Sequence, residues 1–90
     1  MELRELEEKI LNKNNTNKTK RNQLIQNVLD LNINSGKLDG NINFILYSED
    51  SNEEKREKIR ESEEVLKNIF ENVVNIANSL EISLEKIYSK

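Results

Sequence analysis

The stretch LIQNVLDLNINSGKLDGNINFILY, residues 24–47, decides the fold. Apolar and small residues recur in it at alternating spacings of four and three, which places them on one face of an α-helix. They are Leu24, Val28, Leu31, Ser35, Leu38, Ile42 and Ile45. The phase continues across Gly36 and Gly40, although each glycine costs a helix interior about 1 kcal/mol relative to Ala. We predict one helix over residues 19–47, with a break at either glycine as the alternative.

The same periodicity extends to both sides of this stretch. A second long helix is predicted over residues 52–80, because apolar and small residues again alternate in spacings of three and four. They are Ile59, Ser62, Leu66, Ile69, Val73, Ile76 and Leu80. Ser51 and Glu54 have the spacing of a capping box, which marks the start of this helix. Shorter helices are predicted over residues 2–13 and 84–89.

These helices predict a single all-α domain over residues 1–90, an antiparallel helical bundle with two long helices and short helices at both ends. A basic polar turn is expected at residues 14–18, and an acidic turn and helix start at residues 48–57. Two long helices with broad apolar faces cannot bury both faces against each other. We therefore predict a homodimer that completes the core. The alternative is that the terminal helices cover the core within one chain.

Composition excludes several kinds of site. The chain has no Cys and no His, so it offers no thiolate nucleophile, no disulfide and no zinc–thiolate site. Any metal would need oxygen ligands, which favours Mg²⁺ or Mn²⁺. No apolar run reaches the ~18–20 residues that span a bilayer. The first residues lack the apolar region of a signal peptide, and the predicted location is therefore cytoplasmic, away from membranes.

Charge is unevenly distributed along the chain. Five basic residues and no acid lie between residues 9 and 29, which indicates a segment that attracts phosphate. The segment has no aromatic residue to stack on bases, which disfavours nucleic acid as a partner. Acids dominate residues 49–64, and the candidate surface for a basic protein partner consists of Glu53, Glu54, Glu57, Glu61 and Glu64. The alternative for both segments is an ordinary solvated face.

The C-terminal stretch VVNIANSLEISLEKI, residues 73–87, resembles the end of the MazG-like, all-α nucleotide pyrophosphohydrolases. That family has a helix ending in the phrase LANELGI, followed by SLEE. The stretch LDGNINFILY, residues 38–47, resembles the family's second helix where it leads into a polar turn. The resemblance covers roughly residues 20–88, and it implies a MazG-like arrangement of the predicted helices.

The resemblance also implies a chemistry. In the family, an EAGE-like phrase on the second helix and an ELGD-like phrase on the third each supply carboxylates. The spacing of three residues puts the acids of one phrase on one helix face. Facing helices then hold Mg²⁺ against the substrate phosphates, and the metal activates water for hydrolysis between the α and β phosphates.

This sequence departs from both phrases. Aligned through its glycine, the first phrase is NSGK, residues 34–37, which has lost both carboxylates and ends in the cation Lys37. Aligned back from the C-terminal phrase, the second is EVLKN, residues 64–68, in which Glu64 alone is acidic. A register shifted by one turn offers Asp30 instead. Asp30 and Glu64 are therefore the candidate metal ligands, and Glu64 is the candidate catalytic residue.

The basic residues offer a second use for the same region. Lys37, together with Lys18, Lys20 or Arg21, could pair directly with the phosphates of a nucleotide without a metal. The structural alternative is that the polar residues around Lys37 only flank a helical core. They are Asn34, Asn41 and Asn68.

Three functions follow from these observations. The leading prediction is a non-catalytic or weakly catalytic relative of the MazG-like enzymes that binds a nucleotide or a protein and needs no cofactor. The alternative is a small helical protein-interaction module, an inhibitor or adaptor such as a mobile element encodes. The third is an active nucleoside triphosphate pyrophosphohydrolase that uses Mg²⁺ or Mn²⁺ with unorthodox ligands.

Overall fold

The computed structural model describes residues 2–13, 20–49 and 51–89. Its helices are α1 (Leu3–Lys13), α2 (Lys20–Tyr47), α3 (Asn52–Ser79) and α4 (Leu84–Tyr88). Helices account for 89% of the described residues, and these contain no strand. The all-α prediction is confirmed, and α2 continues through both of its glycines. The predicted basic turn at residues 14–18 lies outside the described residues.

Serine side chains cap two of the helices. The Ser51 Oγ accepts a hydrogen bond of 3.4 Å from the backbone N–H of Glu54, which is half of the predicted capping box. The Ser83 Oγ accepts one of 3.3 Å from the backbone N–H of Lys86 at the start of α4. Each serine satisfies a backbone donor that has no partner inside its own helix. These caps explain why α3 and α4 begin where they do.

α2 and α3 pack against each other as the two antiparallel long helices of the bundle. A different set of residues faces α3 from the one that the sequence predicted. The interface line on α2 consists of Leu24, Asn27, Leu31, Asn34, Leu38, Asn41 and Ile45, all buried or half-buried. These residues keep the predicted spacings, but the asparagines replace Val28, Ser35 and Ile42, which are exposed. The predicted stripe was wrong in three of its seven members, because α2 is rotated toward its asparagine side.

The stripe predicted on α3 is also divided. Ser62 is buried, and Ile69 and Ile76 are half-buried. The other predicted members are exposed; they are Ile59, Leu66, Val73 and Leu80. Near the turn between the long helices, the Lys58 ammonium lies 5.7 Å from the centre of the Phe44 ring, a cation–π contact between α3 and α2.

The most buried apolar contacts lie on a second side of α3, where α1 packs. Ile10 of α1 is buried, and on α3 the Val74 side chain is 2% exposed and Ala77 is buried as well. α4 packs in turn against α1. The N-terminal helix therefore covers the C-terminal half of α3, while α2 covers the adjoining side.

Many large apolar side chains are left uncovered in this arrangement. Fourteen of those in the described residues are exposed, and seven of them belong to α2. The chain is elongated, with principal extents of 45, 29 and 22 Å. None of the described helices combines the length and the hydrophobicity that crossing a membrane requires.

α3 ends in a Schellman motif. The N–H of Ile82 donates to the carbonyl of Ala77 at 2.8 Å, and the N–H of Glu81 donates to that of Asn78 at 3.1 Å. Glu81 adopts a positive φ of 59°. This left-handed conformation favours glycine, because a Cβ crowds the following carbonyl at a cost of about 1–2 kcal/mol.

Replacing Glu81 by glycine tests this strain. Glu81→Gly should raise the free energy of unfolding by about 1 kcal/mol, measured by urea denaturation at one protein concentration. The matched control is Glu81→Ala, which also removes the Lys20–Glu81 ion pair but keeps the Cβ. Equal stability of the Gly and Ala variants would contradict the argument.

Candidate functional site

Buried polar side chains form a seam between α2 and α3. The Asn34 Nδ2 donates to the Asn72 Oδ1 at 3.2 Å, and the Asn72 Nδ2 donates to the Asn27 Oδ1 at 3.3 Å. Nearer the turn, the Asn41 Nδ2 donates to the Ser62 Oγ at 3.3 Å. Amides buried in this way are tolerable only when they are hydrogen-bonded. The seam therefore holds the two helices in one register.

One side of the seam opens into a cleft of about 350 Å³. Its wall is made almost entirely of polar side chains from the two long helices. The lining residues are Asn27, Asp30, Ile33, Asn34 and Lys37 of α2, with Asn68, Glu71, Asn72 and Asn75 of α3. The spacings on each helix are those of a single helical face. We refer to this site as the asparagine cleft.

Two polar groups in the asparagine cleft stand out. Asn75 is 9% exposed, and no described residue makes a hydrogen bond with its side chain. Lys37 is exposed at the rim, and no described residue forms an ion pair with it. Glu7 Oε1 is the one fully buried side-chain polar atom of the described residues that lacks a partner, so the Asn75 amide is still reached by solvent through the cleft. Both groups are available to a molecule in the cleft.

The charges in the asparagine cleft are mixed. Asp30 and Glu71 are acidic, and Lys37 is the only cation among the described lining residues, so the formal charge of the lining is −1. The Asp30 carboxylate accepts a hydrogen bond of 2.9 Å from Gln26, one turn earlier in α2. Within the described part of the chain, no three Asp, Glu, His or Cys side chains lie close enough together to hold a metal ion.

The predicted phosphate-binding residues are spread over a wide part of the fold. Lys37 lines the asparagine cleft, whereas Lys20 forms an exposed ion pair of 3.4 Å with Glu81 at the far end of α3. Arg21 is exposed and does not line the cleft, and Lys18 lies outside the described residues. The described basic residues therefore do not converge on one site.

The acidic residues that the sequence predicted to act together also lie apart in the structure. Asp30 lines the asparagine cleft, but Glu64 is exposed on α3 and is not part of the lining. The predicted partner surface lies along the first half of α3, where every member is exposed: Glu53, Glu54, Glu57, Glu61 and Glu64. Glu61 forms an ion pair of 3.3 Å with Lys58 on its own helix.

Sequence reasoning missed four lining residues: Asn27, Glu71, Asn72 and Asn75. The alternative given for the asparagines around Lys37 was that they only flank a helical core, yet the structure buries four asparagines, Asn34, Asn41, Asn72 and Asn75. A signal for them existed. Asn27, Asn34 and Asn41 recur every seven residues, which places three amides on one helix face. Reading that spacing alongside the apolar one would have identified the polar seam.

Comparison with known proteins gives no match: no protein-family model fits the chain, and neither a curated protein nor a solved structure shows significant similarity to it. The MazG-like resemblance and its implied metal site therefore remain predictions.

Asn34 and Asn72 should be energetically coupled. Asn34→Leu and Asn72→Leu should each lower the free energy of unfolding by about 1–3 kcal/mol, because each leaves a buried amide without its partner. The double variant should lose less free energy of unfolding than the two single variants lose together, since it removes both polar groups. Urea denaturation of the four proteins measures the coupling.

The control is Asn78→Leu at an exposed position of α3, which should change stability by less than about 0.5 kcal/mol. Strictly additive effects of the two seam substitutions would show that the 3.2 Å hydrogen bond contributes nothing.

Proposed function

We propose that the chain is a non-catalytic binding protein whose asparagine cleft holds the base of a nucleoside or nucleotide. The observation that carries this proposal is Asn75, which is nine-tenths buried, borders the cleft and has no hydrogen-bond partner among the described residues. Glu7 Oε1, not Asn75, is the fully buried unpaired polar atom of the described residues, so the Asn75 amide is accessible from the cleft. A ligand can therefore hydrogen-bond this amide without breaking a bond to a described residue.

The chemistry of the lining favours a base. A carboxamide carries a donor and an acceptor side by side, the arrangement that pairs with the edge of a nucleobase. The net negative lining repels a polyphosphate chain inside the cleft, and the phosphates of a nucleotide would extend past Lys37 at the rim. The proposal therefore needs neither a metal nor the basic residues outside the cleft.

Two observations support a distant MazG-like origin of this site. Asn34, Lys37 and Asn68 belong to the phrases that match the family's carboxylate motifs, and all three line the asparagine cleft. Glu81, with its positive φ, stands where the family phrase LANELGI has its glycine. Two acids in the lining fall short of the two carboxylate sets that the family's hydrolysis requires. Binding without hydrolysis is the function that fits these residues.

A second candidate function is a protein-interaction module. It is favoured by the exposed apolar side chains of α2, which no helix of the described chain covers. Exposed apolar side chains that lie together mark protein–protein contact sites. This function uses a different side of α2 from the one that lines the asparagine cleft, and the two functions are compatible.

Thermal unfolding with added ligands tests the first proposal. The panel consists of four nucleosides and their triphosphates, each with and without Mn²⁺. We expect one base to stabilise the protein equally as nucleoside and as triphosphate, independently of Mn²⁺. A ligand at 100 times its Kd adds about 2.7 kcal/mol to the free energy of unfolding.

Matched alanine variants locate the binding. Asn75→Ala should abolish the stabilisation, whereas Asn78→Ala, one turn later and exposed, should retain it. Absence of stabilisation by every ligand would contradict the proposal. Stabilisation that requires Mn²⁺ would also contradict it and would favour the metal-dependent enzyme.

A further inference from the structure

We propose that two copies of this chain associate through the outer face of α2, antiparallel and crossing at Ser35 and Gly36. This inference goes beyond ligand binding in the asparagine cleft and names the partner of the protein-interaction module. The outer face is the side of α2 turned away from the cleft. Its apolar members are Ile25, Val28, Leu29, Ile42 and Leu46, which are between 41% and 63% exposed.

The exposed surface of the chain is larger than that of a self-sufficient monomer. Its accessible area is 7102 Å². A compact monomer of 10.6 kDa exposes about 5,500 Å², so the excess is about 1,600 Å². Obligate homodimers bury about 1,000 Å² or more from each partner. The excess is therefore of the size that a stable dimer removes from each chain.

Four of the five apolar members of the outer face are arranged symmetrically about its centre, and Val28, which meets Asn43, is the exception. This symmetry selects a second copy as the occupant. Two antiparallel helices that cross between residues 35 and 36 bring together residues whose numbers add to 71. That register sets Ile25 against Leu46 and Leu29 against Ile42 of the second copy. The same pairs recur on the other side of the two-fold axis. A surface that complements itself in this way is what a two-fold symmetric dimer requires.

The centre of the face provides the room for close approach. Ser35 and Gly36 lie at the crossing point, both are exposed, and a Cβ added to Gly36 would meet no atom within 4 Å. Helices that pack 8–10 Å apart need small residues where their backbones come closest. A glycine in mid-helix costs stability unless its small size is used. Contact with a second helix at Gly36 makes use of this small size.

Charge selects the antiparallel orientation. Between Ile25 and Leu46, Asp39 is the only charged residue on the outer face, and in the antiparallel register it lies opposite Asn32 of the second copy, which can donate a hydrogen bond. A parallel pairing in register would place the two Asp39 carboxylates against each other. Opposed like charges in an interface are unfavourable.

The two glycines of α2 give a matched pair of variants for the test. Both are exposed, and neither has an atom within 4 Å of an added Cβ, but Gly40 lies one turn further along α2, at the edge of the outer face and away from the crossing point. Sedimentation equilibrium should show a wild-type species of twice 10.6 kDa. Gly36→Gln should raise the dimer dissociation constant at least tenfold, whereas Gly40→Gln, away from the crossing point, should raise it much less. Circular dichroism checks that both variants remain helical.

A cysteine scan locates the crossing, since the chain contains no native cysteine. Under oxidising conditions, Gly36→Cys should form a disulfide-linked dimer and Gly40→Cys should not.

Charge exchange then tests the orientation. Ile25→Lys and Leu46→Glu should each weaken association, and the double variant should restore it, because the antiparallel register pairs Lys with Glu.

A monomeric wild-type protein at every concentration would overturn the inference while leaving ligand binding in the asparagine cleft intact. Equal effects of the two glutamine variants would overturn it by placing the interface elsewhere. If Ile25→Lys and Leu46→Glu each weaken association and the double variant does not restore it, the antiparallel orientation is overturned.

Discussion

The structure depends on the hydrogen-bonded seam of asparagines between α2 and α3. An amide buried between two helices must find a partner, and here Asn34 meets Asn72 while Asn41 meets Ser62. Each such bond adds only about 1 kcal/mol net, but sliding one helix past the other would leave several buried groups unpaired. A purely apolar interface would tolerate such slips more easily, because apolar contacts are not directional. The seam thus fixes register more than it supplies stability.

Placing asparagines at the interface has two consequences for the rest of the molecule. Apolar residues that share α2 with them, Leu29 and Ile42 among others, are left on the outer face. Polar side chains that continue beyond the seam form the wall of the asparagine cleft, in which Asn75 has no described partner. The apolar face and the polar cleft lie on different sides of one helix. Assembly and ligand binding would therefore not compete for the same surface.

Sequence reasoning located parts of the candidate site and missed others. Asp30, Asn34, Lys37 and Asn68 were singled out, and all line the cleft. Glu64 and the basic residues near the start of α2 do not, because the rotation of each helix decides which of its polar residues turn inward. Glu71 and Asn75 carried no motif. Their contribution depends on which face of α3 meets α2, and a single sequence does not encode that face when apolar and polar residues share the same period.

The sequence by itself determined the four helices and their ends. Local spacing, the serine caps and the absence of Pro act within a few residues of each other, so they can be read along the chain. Tertiary structure alone decided which stripe of each long helix is buried. In α2 the apolar line through Val28 and Ile42 competed with the line through Asn34 and Asn41. Hydrogen bonds to Asn72 and Ser62, distant in sequence, turned the asparagines inward, and such a choice depends on partners that local spacing does not contain.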